Sequence, residues 1–364
     1  MDNLLVTGGA GFIGSNFTRY WLKNRPQDRV VVLDALTYAG NLASLSAVQE
    51  NKKYRFVHGN ICDQSLVESL IRTENINKII HFAAESHVDR SILGPDAFIE
   101  TNVIGTHVLL KVAKKIWLDE KSIGARHRFH HVSTDEVYGS LGAEDPPFTE
   151  NTPYRPNSPY AASKAASDHL VRAYHHTYGL PTTISNCSNN YGPYQFPEKL
   201  IPLVLLNILH EKALPVYGEG KNIRDWLYVE DHCRGIEVVL DKGMVGETYN
   251  IGGKNEWENI KIVKLLCRLM DEKRQETNFN VQKKNSERLI AFVKDRPGHD
   301  FRYAIDAVKI ENQLGFKPEE TFETGIRKTI AWYLENSAWW RNIMDGSYQE
   351  WIALQYKNSY VSIK

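Results

Sequence analysis

Four cysteines among 364 residues, Cys62, Cys187, Cys233 and Cys267, are too few and too widely spaced to form a CxxC metal or redox pair. A chain this long needs no covalent staples, so buried, inert thiols in a reducing compartment are expected. Long apolar runs are missing as well: nowhere do about 18 apolar residues follow one another, which leaves no candidate membrane span. Met1-Asp2-Asn3 leads directly into Leu4-Leu5-Val6, with neither a basic segment nor a small-residue cleavage site, and a cytoplasmic location is expected. Neither sign of charge is in excess. The 44 basic residues balance 44 acidic ones, which removes any global electrostatic reason to bind nucleic acid or an anionic membrane. No internal repeat or low-complexity segment is visible. What remains is ordinary globular composition, 42% hydrophobic and 24% charged, sized for one large α/β unit or two packed ones.

As far as about residue 186, short apolar runs alternate with longer helical patterns. Leu4–Val6, Val30–Leu33, Tyr54–Val57, Lys78–Phe82, Phe129–Val132 and Thr182–Ser185 are short and β-branched, as strands are. Helical periodicity between them is clearest at Phe98–Lys115 and Tyr160–Tyr178. Such alternation implies an α/β fold, a Rossmann-type doubly wound parallel sheet binding ligands beyond the carboxyl ends of its strands. After Asn186 the texture becomes turn-rich and aromatic, with short helical patterns at Val229–Leu240, Asn259–Met270 and Thr324–Leu334. The expected division is a cofactor-binding domain over 1–186 with about 229–246, a smaller α/β substrate-binding region over 187–228 and 247–345, and a tail over 346–364.

The first strand runs into Thr7-Gly8-Gly9-Ala10-Gly11-Phe12-Ile13-Gly14 and then a helical pattern. Of the three spaced glycines, Gly8 permits a tight turn, Gly11 lets a pyrophosphate approach the backbone, and Gly14 lets helix and strand pack closely. The helix start then offers unpaired N–H groups and a positive dipole end to the phosphates. Asp34 ends the next strand, 20 residues past Gly14, where a carboxylate accepts from both ribose hydroxyls of NAD and repels a 2′-phosphate. No arginine follows Asp34 to welcome that phosphate, so NAD is expected over NADP.

Tyr160 and Lys164 stand four apart on a helix that Pro159 opens, and therefore share one face. A phenol with a pKa near ~10 is a weak base at neutral pH, and the Lys164 ammonium together with an oxidised nicotinamide is expected to lower it. Lys164 could also bind the nicotinamide ribose. With the glycine turn and the strand end Ser133-Thr134, these residues resemble the extended short-chain dehydrogenase/reductase superfamily, whose Ser/Thr, Tyr and Lys form a catalytic trio.

Asp135 and Glu136 follow that hydroxyl directly. Hydride exchange at a sugar carbon has no use for an acid and a base together, whereas dehydration does. A C4 ketone acidifies the C5 proton, one carboxylate removes it, and a second carboxyl kept protonated assists departure of the C6 hydroxyl. Strict strand alternation would point the two to opposite faces, so they can share a site only where the strand has ended and the chain bends. Within the superfamily, Thr7–Asn16, Asp34–Asn41, Ala83–Ser91, Ser133–Gly139, Ser158–Leu170, Asn186–Pro202, Asn222–His232, Gly246–Glu256 and Asp295–Asp306 resemble the dTDP-glucose 4,6-dehydratases. GDP-mannose dehydratases and UDP-glucuronate decarboxylases resemble one another in carrying Ser where this chain has Asp135, and the epimerases lack the acid pair.

The resemblance implies that Tyr160 deprotonates the C4 hydroxyl as its carbon passes hydride to NAD, with Thr134 hydrogen-bonded to that oxygen. It implies that Glu136 removes and later returns the C5 proton, and that Asp135 protonates the departing C6 hydroxyl. Asn60, where the family usually has Asp, and Ile61 would meet the adenine, and Ala83 the cofactor. Ser86 and His87 are implied at the sugar with Asp89 in support, and Asn189, Lys199, Arg224, Asn259, Arg296, His299 and Tyr303 around the nucleotide. Arg224 suits a pyrophosphate because its planar fork binds two oxygens at once. No partner spacing suits a metal at His87 and Asp89. The implied substrate is dTDP-glucose, and the implied assembly is a homodimer pairing the helices Phe98–Lys115 and Tyr160–Tyr178. The alternatives are UDP-glucose as substrate, a 4-epimerase or decarboxylase on the same scaffold, and a non-catalytic NAD(H) sensor.

Overall fold

A computed structural model describes residues 1–120, 126–277, 285–344, 348 and 350. The tail expected from residue 346 otherwise lies outside the described residues. All six expected strands are present, as β1 (Asn3–Thr7), β2 (Arg29–Asp34), β3 (Tyr54–His58), β4 (Lys78–His81), β5 (Arg128–Thr134) and β6 (Thr182–Cys187). The chain continues through β7 (Asn189–Tyr191), β8 (Leu214–Tyr217), β9 (Ile223–Tyr228), β10 (Thr248–Ile251), β11 (Glu256–Glu258), β12 (Ile290–Val293) and β13 (Arg302–Tyr303).

The large sheet has the order β3-β2-β1-β4-β5-β6-β10, with all its pairings parallel. Strands β1 and β2 read as near-continuous apolar runs because both faces are covered, while β5 and β6 bury polar side chains as well. Leu4, Val6, Val30 and Val32 face one buried cluster, and Leu5, Val31, Leu33 and Ile79 face another. Thr248–Ile251, expected within the smaller region, instead adds a seventh strand to this sheet beside β6. The preceding helix, Val229–Lys242, packs against β6 and β10 and serves as their crossover. The order reverses between β1 and β4, and that switch point is where a doubly wound sheet opens a crevice.

Beyond Cys187, β9 gathers β11, β13 and β7 around it, while β8 pairs with β12. A separate apolar cluster holds this part together, with Leu205, Leu266, Phe322 and Ile326 at its centre. The helix Leu200–Leu209 within it has no polar face, and its sequence, apolar but for Asn207, lacks the periodicity from which helices are read. No helix among the described residues is long and apolar enough to cross a membrane. The four cysteines are free.

Candidate active site

Above the β1/β4 switch point lies a 310 Å³ cavity lined by the glycine turn, the ends of β2, β4 and β5, and the start of the Pro159–Tyr178 helix. Gly8, Gly11, Phe12, Ile13, Gly14, Asp34, Asn60, Ile61, Ala83 and Ser86 line it, with Thr134, Asp135, Glu136, Tyr160, Lys164, Asn189 and Lys199.

The glycine turn is shaped by close approach. A Cβ on Gly14 would lie 2.2 Å from the Gly8 carbonyl oxygen, and one on Gly8 would lie 2.6 Å from the Ala83 nitrogen. At Gly11 the nearest atom would be 3.3 Å away, because that glycine faces the cavity. The helix Phe12–Asn24 begins there with no side-chain cap and no acid in its first turn, so its N–H groups face the cavity uncontested. Asp34 is fixed by accepting from Ala10 N and Leu36 N, both at 2.8 Å. Asn60 accepts from Cys62 N at 2.9 Å through its side-chain oxygen, leaving the amide NH₂ to donate. This cradle fits a dinucleotide: uncapped helix N–H groups for the pyrophosphate, a carboxylate for a ribose and an amide for the base. The two glycines should separate on substitution. Gly14→Ala, which forces backbone atoms apart, is expected to lower both Tm and NAD affinity at a cost of about 1–3 kcal/mol in stability. Gly11→Ala should keep the wild-type Tm and lose cofactor, as thermal denaturation and NAD titration would read.

The acid pair stands on a bend. Strand β5 extends two residues past its expected end, to Thr134, and the chain then turns through a 3₁₀ helix over Asp135–Tyr138. Thr134 caps that turn by accepting from Glu136 N at 3.3 Å. Strand alternation thus stops before it could separate the two carboxyls, and both line the cavity. Asp135 is 1% exposed, and its Oδ2 has no partner among the described residues. Burial, then Glu136 and Asp225, push its carboxyl well above the usual carboxylate range. Glu136 is raised by burial, but Arg296, Lys199 and Arg224 pull it back toward the ionised form. Both carboxyls are raised by burial, and the three cations near Glu136 favour its ionised form over that of Asp135.

Ser158 caps the following helix by accepting from Ala161 N, and Pro159 occupies its first turn. Tyr160, Lys164 and Asp168 then fall on one face. Burial and Glu136 push the Tyr160 phenol well up, and the Thr134 hydroxyl draws it down. Lys164 follows one helical turn later on the same face. The ammonium turns toward β5, donating to the Val132 carbonyl at 2.9 Å and lying 3.3 Å from His131 Nε2. Burial pushes Lys164 down to about 8, and Asp168 opposes that shift.

Asp168 was not singled out from the sequence. It accepts from Ser133 and Tyr154, each at 2.9 Å, and its other oxygen lies 3.2 Å from His131 Nε2. Its spacing of four from Lys164 was the available signal. Glu198 was missed too: Arg90 reaches it at 3.2 Å while stacking 3.8 Å over Tyr38 at the cavity's edge.

Six of the expected nucleotide and sugar contacts do not line the cavity: His87, Arg224, Asn259, Arg296, His299 and Tyr303. Two of them, Arg224 and Arg296, lie within electrostatic reach of Glu136. Arg224 lies 4.2 Å over the Tyr303 ring and donates to the Asp300 carbonyl at 2.9 Å. Arg296 pairs with Asp89 at 3.1 Å, and His299 with Asp295 at 2.6 Å. The buried His87 sits 3.9 Å from Glu198. Asn259, at the start of its helix, keeps a buried side-chain oxygen without a hydrogen-bond partner among the described residues.

The family model described as GDP-mannose 4,6 dehydratase matches residues 5–329. A dTDP-glucose 4,6-dehydratase of Escherichia coli is 58% identical over 355 residues, covering 95% of this chain and 97% of that protein. One from Neisseria meningitidis is 55% identical, covering 96% and 98%. Among solved structures, the dTDP-glucose 4,6-dehydratase of Streptomyces venezuelae with NAD bound superposes with a TM-score of 0.84 at 48% identity, covering 94% of this chain and 99% of that one. A UDP-glucose 4-epimerase of Thermotoga maritima with UDP-glucose reaches 0.78 at 26% identity, covering 92% and 99%.

Proposed function

The chain belongs to the GDP-mannose 4,6 dehydratase family, and within it we propose that it converts dTDP-glucose to the 4-keto-6-deoxy sugar nucleotide, with NAD retained through each cycle. The observation that carries this reading is that two adjacent carboxyls line the cavity in unlike surroundings, Asp135 beside the charges of Glu136 and Asp225, and Glu136 within reach of Arg296, Lys199 and Arg224.

Bound NAD supplies the hydride acceptor for C4 and the hydride donor for C6. Tyr160 takes the C4 hydroxyl proton, with Thr134 hydrogen-bonded to the same oxygen. Lys164 braces the helix face against β5 and would hold the nicotinamide ribose. With C4 a ketone, C5–H is acidic, and Glu136 removes it. Asp135 gives its proton to the C6 hydroxyl, which leaves as water, and Glu136 returns its proton to C5 as C6 becomes a methyl group. Gly11, Asp34 and Asn60 hold the dinucleotide. Lys199 and Asn189, which line the cavity, would hold the sugar nucleotide, and Arg224 and Arg296 its diphosphate. An epimerase or a cofactor sensor has no use for a buried acid beside a base.

A second copy of the chain is the assembly this reading favours. Ile92, Leu93, Ile99 and Ile104 are exposed along the segment leading into the Thr106–Lys114 helix, an apolar stripe that a paired helix would cover. Sedimentation should report two chains per particle, and one chain would contradict it. The activity itself is tested by side-by-side turnover of dTDP-glucose and UDP-glucose. The expected result is a product lighter by one water, formed faster from dTDP-glucose. A product retaining its C6 hydroxyl would overturn the reading.

A further inference from the structure

Behind the cavity lies a buried polar cluster that the proposed cycle leaves without a task. Asp168 is fully buried, and its Oδ2 accepts from the Ser133 and Tyr154 hydroxyls, each at 2.9 Å, and from the Asn186 amide at 3.4 Å. Its Oδ1 has no hydrogen-bond partner among the described residues and lies 3.2 Å from His131 Nε2. The same ring nitrogen lies 3.3 Å from Lys164 Nζ. His131 is fully buried too, and its Nδ1 has no hydrogen-bond partner among the described residues. A carboxylate this deep is costly unless a cation answers it.

An ammonium has three N–H groups and no lone pair. Lys164 gives one to the Val132 carbonyl at 2.9 Å. A hydrogen on His131 Nε2 would face the ammonium donor to donor, so the ring carries its hydrogen on Nδ1 and accepts a second N–H at Nε2. The third is left for the cavity, which Lys164 lines. Of the titratable groups around the ammonium, Tyr160 and Asp168 stand on its own helix, His131 on β5 with His81 of β4 beside it, and Cys187 on β6. Burial keeps both imidazoles neutral and pushes the Cys187 thiol up to about 12. That leaves Asp168 as the fixed countercharge, on the side away from the cavity.

We propose that His131 and Asp168 are positioning residues for Lys164, the ring aiming the third N–H at the cavity and the carboxylate supplying the charge that faces the ammonium from behind. Neither touches cofactor or substrate, and each acts through the lysine. A charged donor binds a ribose hydroxyl more strongly than a neutral amine does, so the countercharge bears on the cofactor at one remove. The proposal rests on the dehydratase reading, in which Lys164 holds the nicotinamide ribose, and it assigns the two residues that keep that lysine fit for the work.

The experiment reads Lys164 itself in the NAD-bound protein. With lysine isotope-labelled at Cε, the NMR resonance that Lys164→Met abolishes reports the proton on Nζ. Burial pushes Lys164 down to about 8 and Asp168 opposes that shift. Asp168→Asn keeps the shape and loses the charge, so the midpoint should fall by about one pH unit or more. The alkaline limb of kcat with dTDP-glucose should move down with it. Tyr154→Phe removes a hydrogen bond from the same cluster and leaves the carboxylate, so Tm should drop while the Lys164 midpoint stays in place. His131→Leu, which offers no acceptor, should raise the NAD dissociation constant by about 2–10-fold. His131→Gln, which keeps an acceptor oxygen, should restore it. A Lys164 midpoint unmoved in Asp168→Asn, or moved as far in Tyr154→Phe, overturns the proposal, as does wild-type NAD affinity in His131→Leu. Wild-type protein that releases no water from dTDP-glucose would instead sink the dehydratase reading, a result the lysine titration does not share.

Discussion

Glu136→Gln should oxidise C4 of the bound sugar and go no further. Gln fills the same space and cannot remove a proton, so turnover to the 4-keto-6-deoxy product should fall by about 10²–10⁴-fold. Reduced-nicotinamide absorbance should rise with substrate and persist, because the hydride has no C6 acceptor until water has left. The variant should also shift the first half-reaction. After burial, Glu136 is the charge that raises the Tyr160 phenol most, so removing it lets the phenol ionise more readily. Oxidation at C4 should therefore begin at lower pH than in the wild type, as absorbance against pH would read. An unchanged rate of product formation would withdraw Glu136 from the chemistry.

Asp135→Asn should fail one step later, and the difference is visible at C5. With Glu136 intact, the C5 proton of the oxidised sugar still comes and goes, so deuterium should enter C5 from solvent while water loss falls by about 10²-fold or more. Glu136→Gln should incorporate none. Equal exchange in the two variants would mean that the carboxyls share one task instead of dividing two. The division has an evident cause in the wild-type site. Arg296, Lys199 and Arg224 lie within electrostatic reach of Glu136, whereas Asp135 has Arg224 alone against the charges of Glu136 and Asp225. Two adjacent acids differ because their surroundings do.

The large sheet is legible because its strands are short runs with helical pattern between, and β1 and β2, covered on both faces, are almost wholly apolar. Strand β10 joins the large sheet against expectation, since Thr248–Ile251 is four residues long and follows a turn, with nothing local to say which sheet it joins. The Gly8, Gly11 and Gly14 turn, Asp34, and Tyr160 with Lys164 could be read because their spacing is fixed by one βα unit or one helix. The bend at Asp135 was foreseen as a condition, and the hydrogen bond from Glu136 N to Thr134 is what meets it. Asp168 and Glu198 escaped notice because their partners, Ser133, Tyr154 and Arg90, come from elements brought together only by the fold. The direction of Lys164 escaped for the same reason, since an i, i+4 pair says that two side chains share a face and not which of several acceptors each will choose. Arg224 and Arg296, expected in contact with the nucleotide, do not line the cavity and are bound to the Asp300 carbonyl and to Asp89.

The central claim is that an alcohol is oxidised so that Glu136 can take the proton from the next carbon and Asp135 can expel the hydroxyl beyond it. The most direct measurement is turnover of dTDP-glucose by the wild-type protein in deuterated water, with the product read by mass and NMR. The account predicts a sugar lighter by one water, bearing a 4-ketone, a C6 methyl group and solvent deuterium at C5. A product with its C6 hydroxyl intact, or with protium retained at C5 after water has been lost, would contradict it.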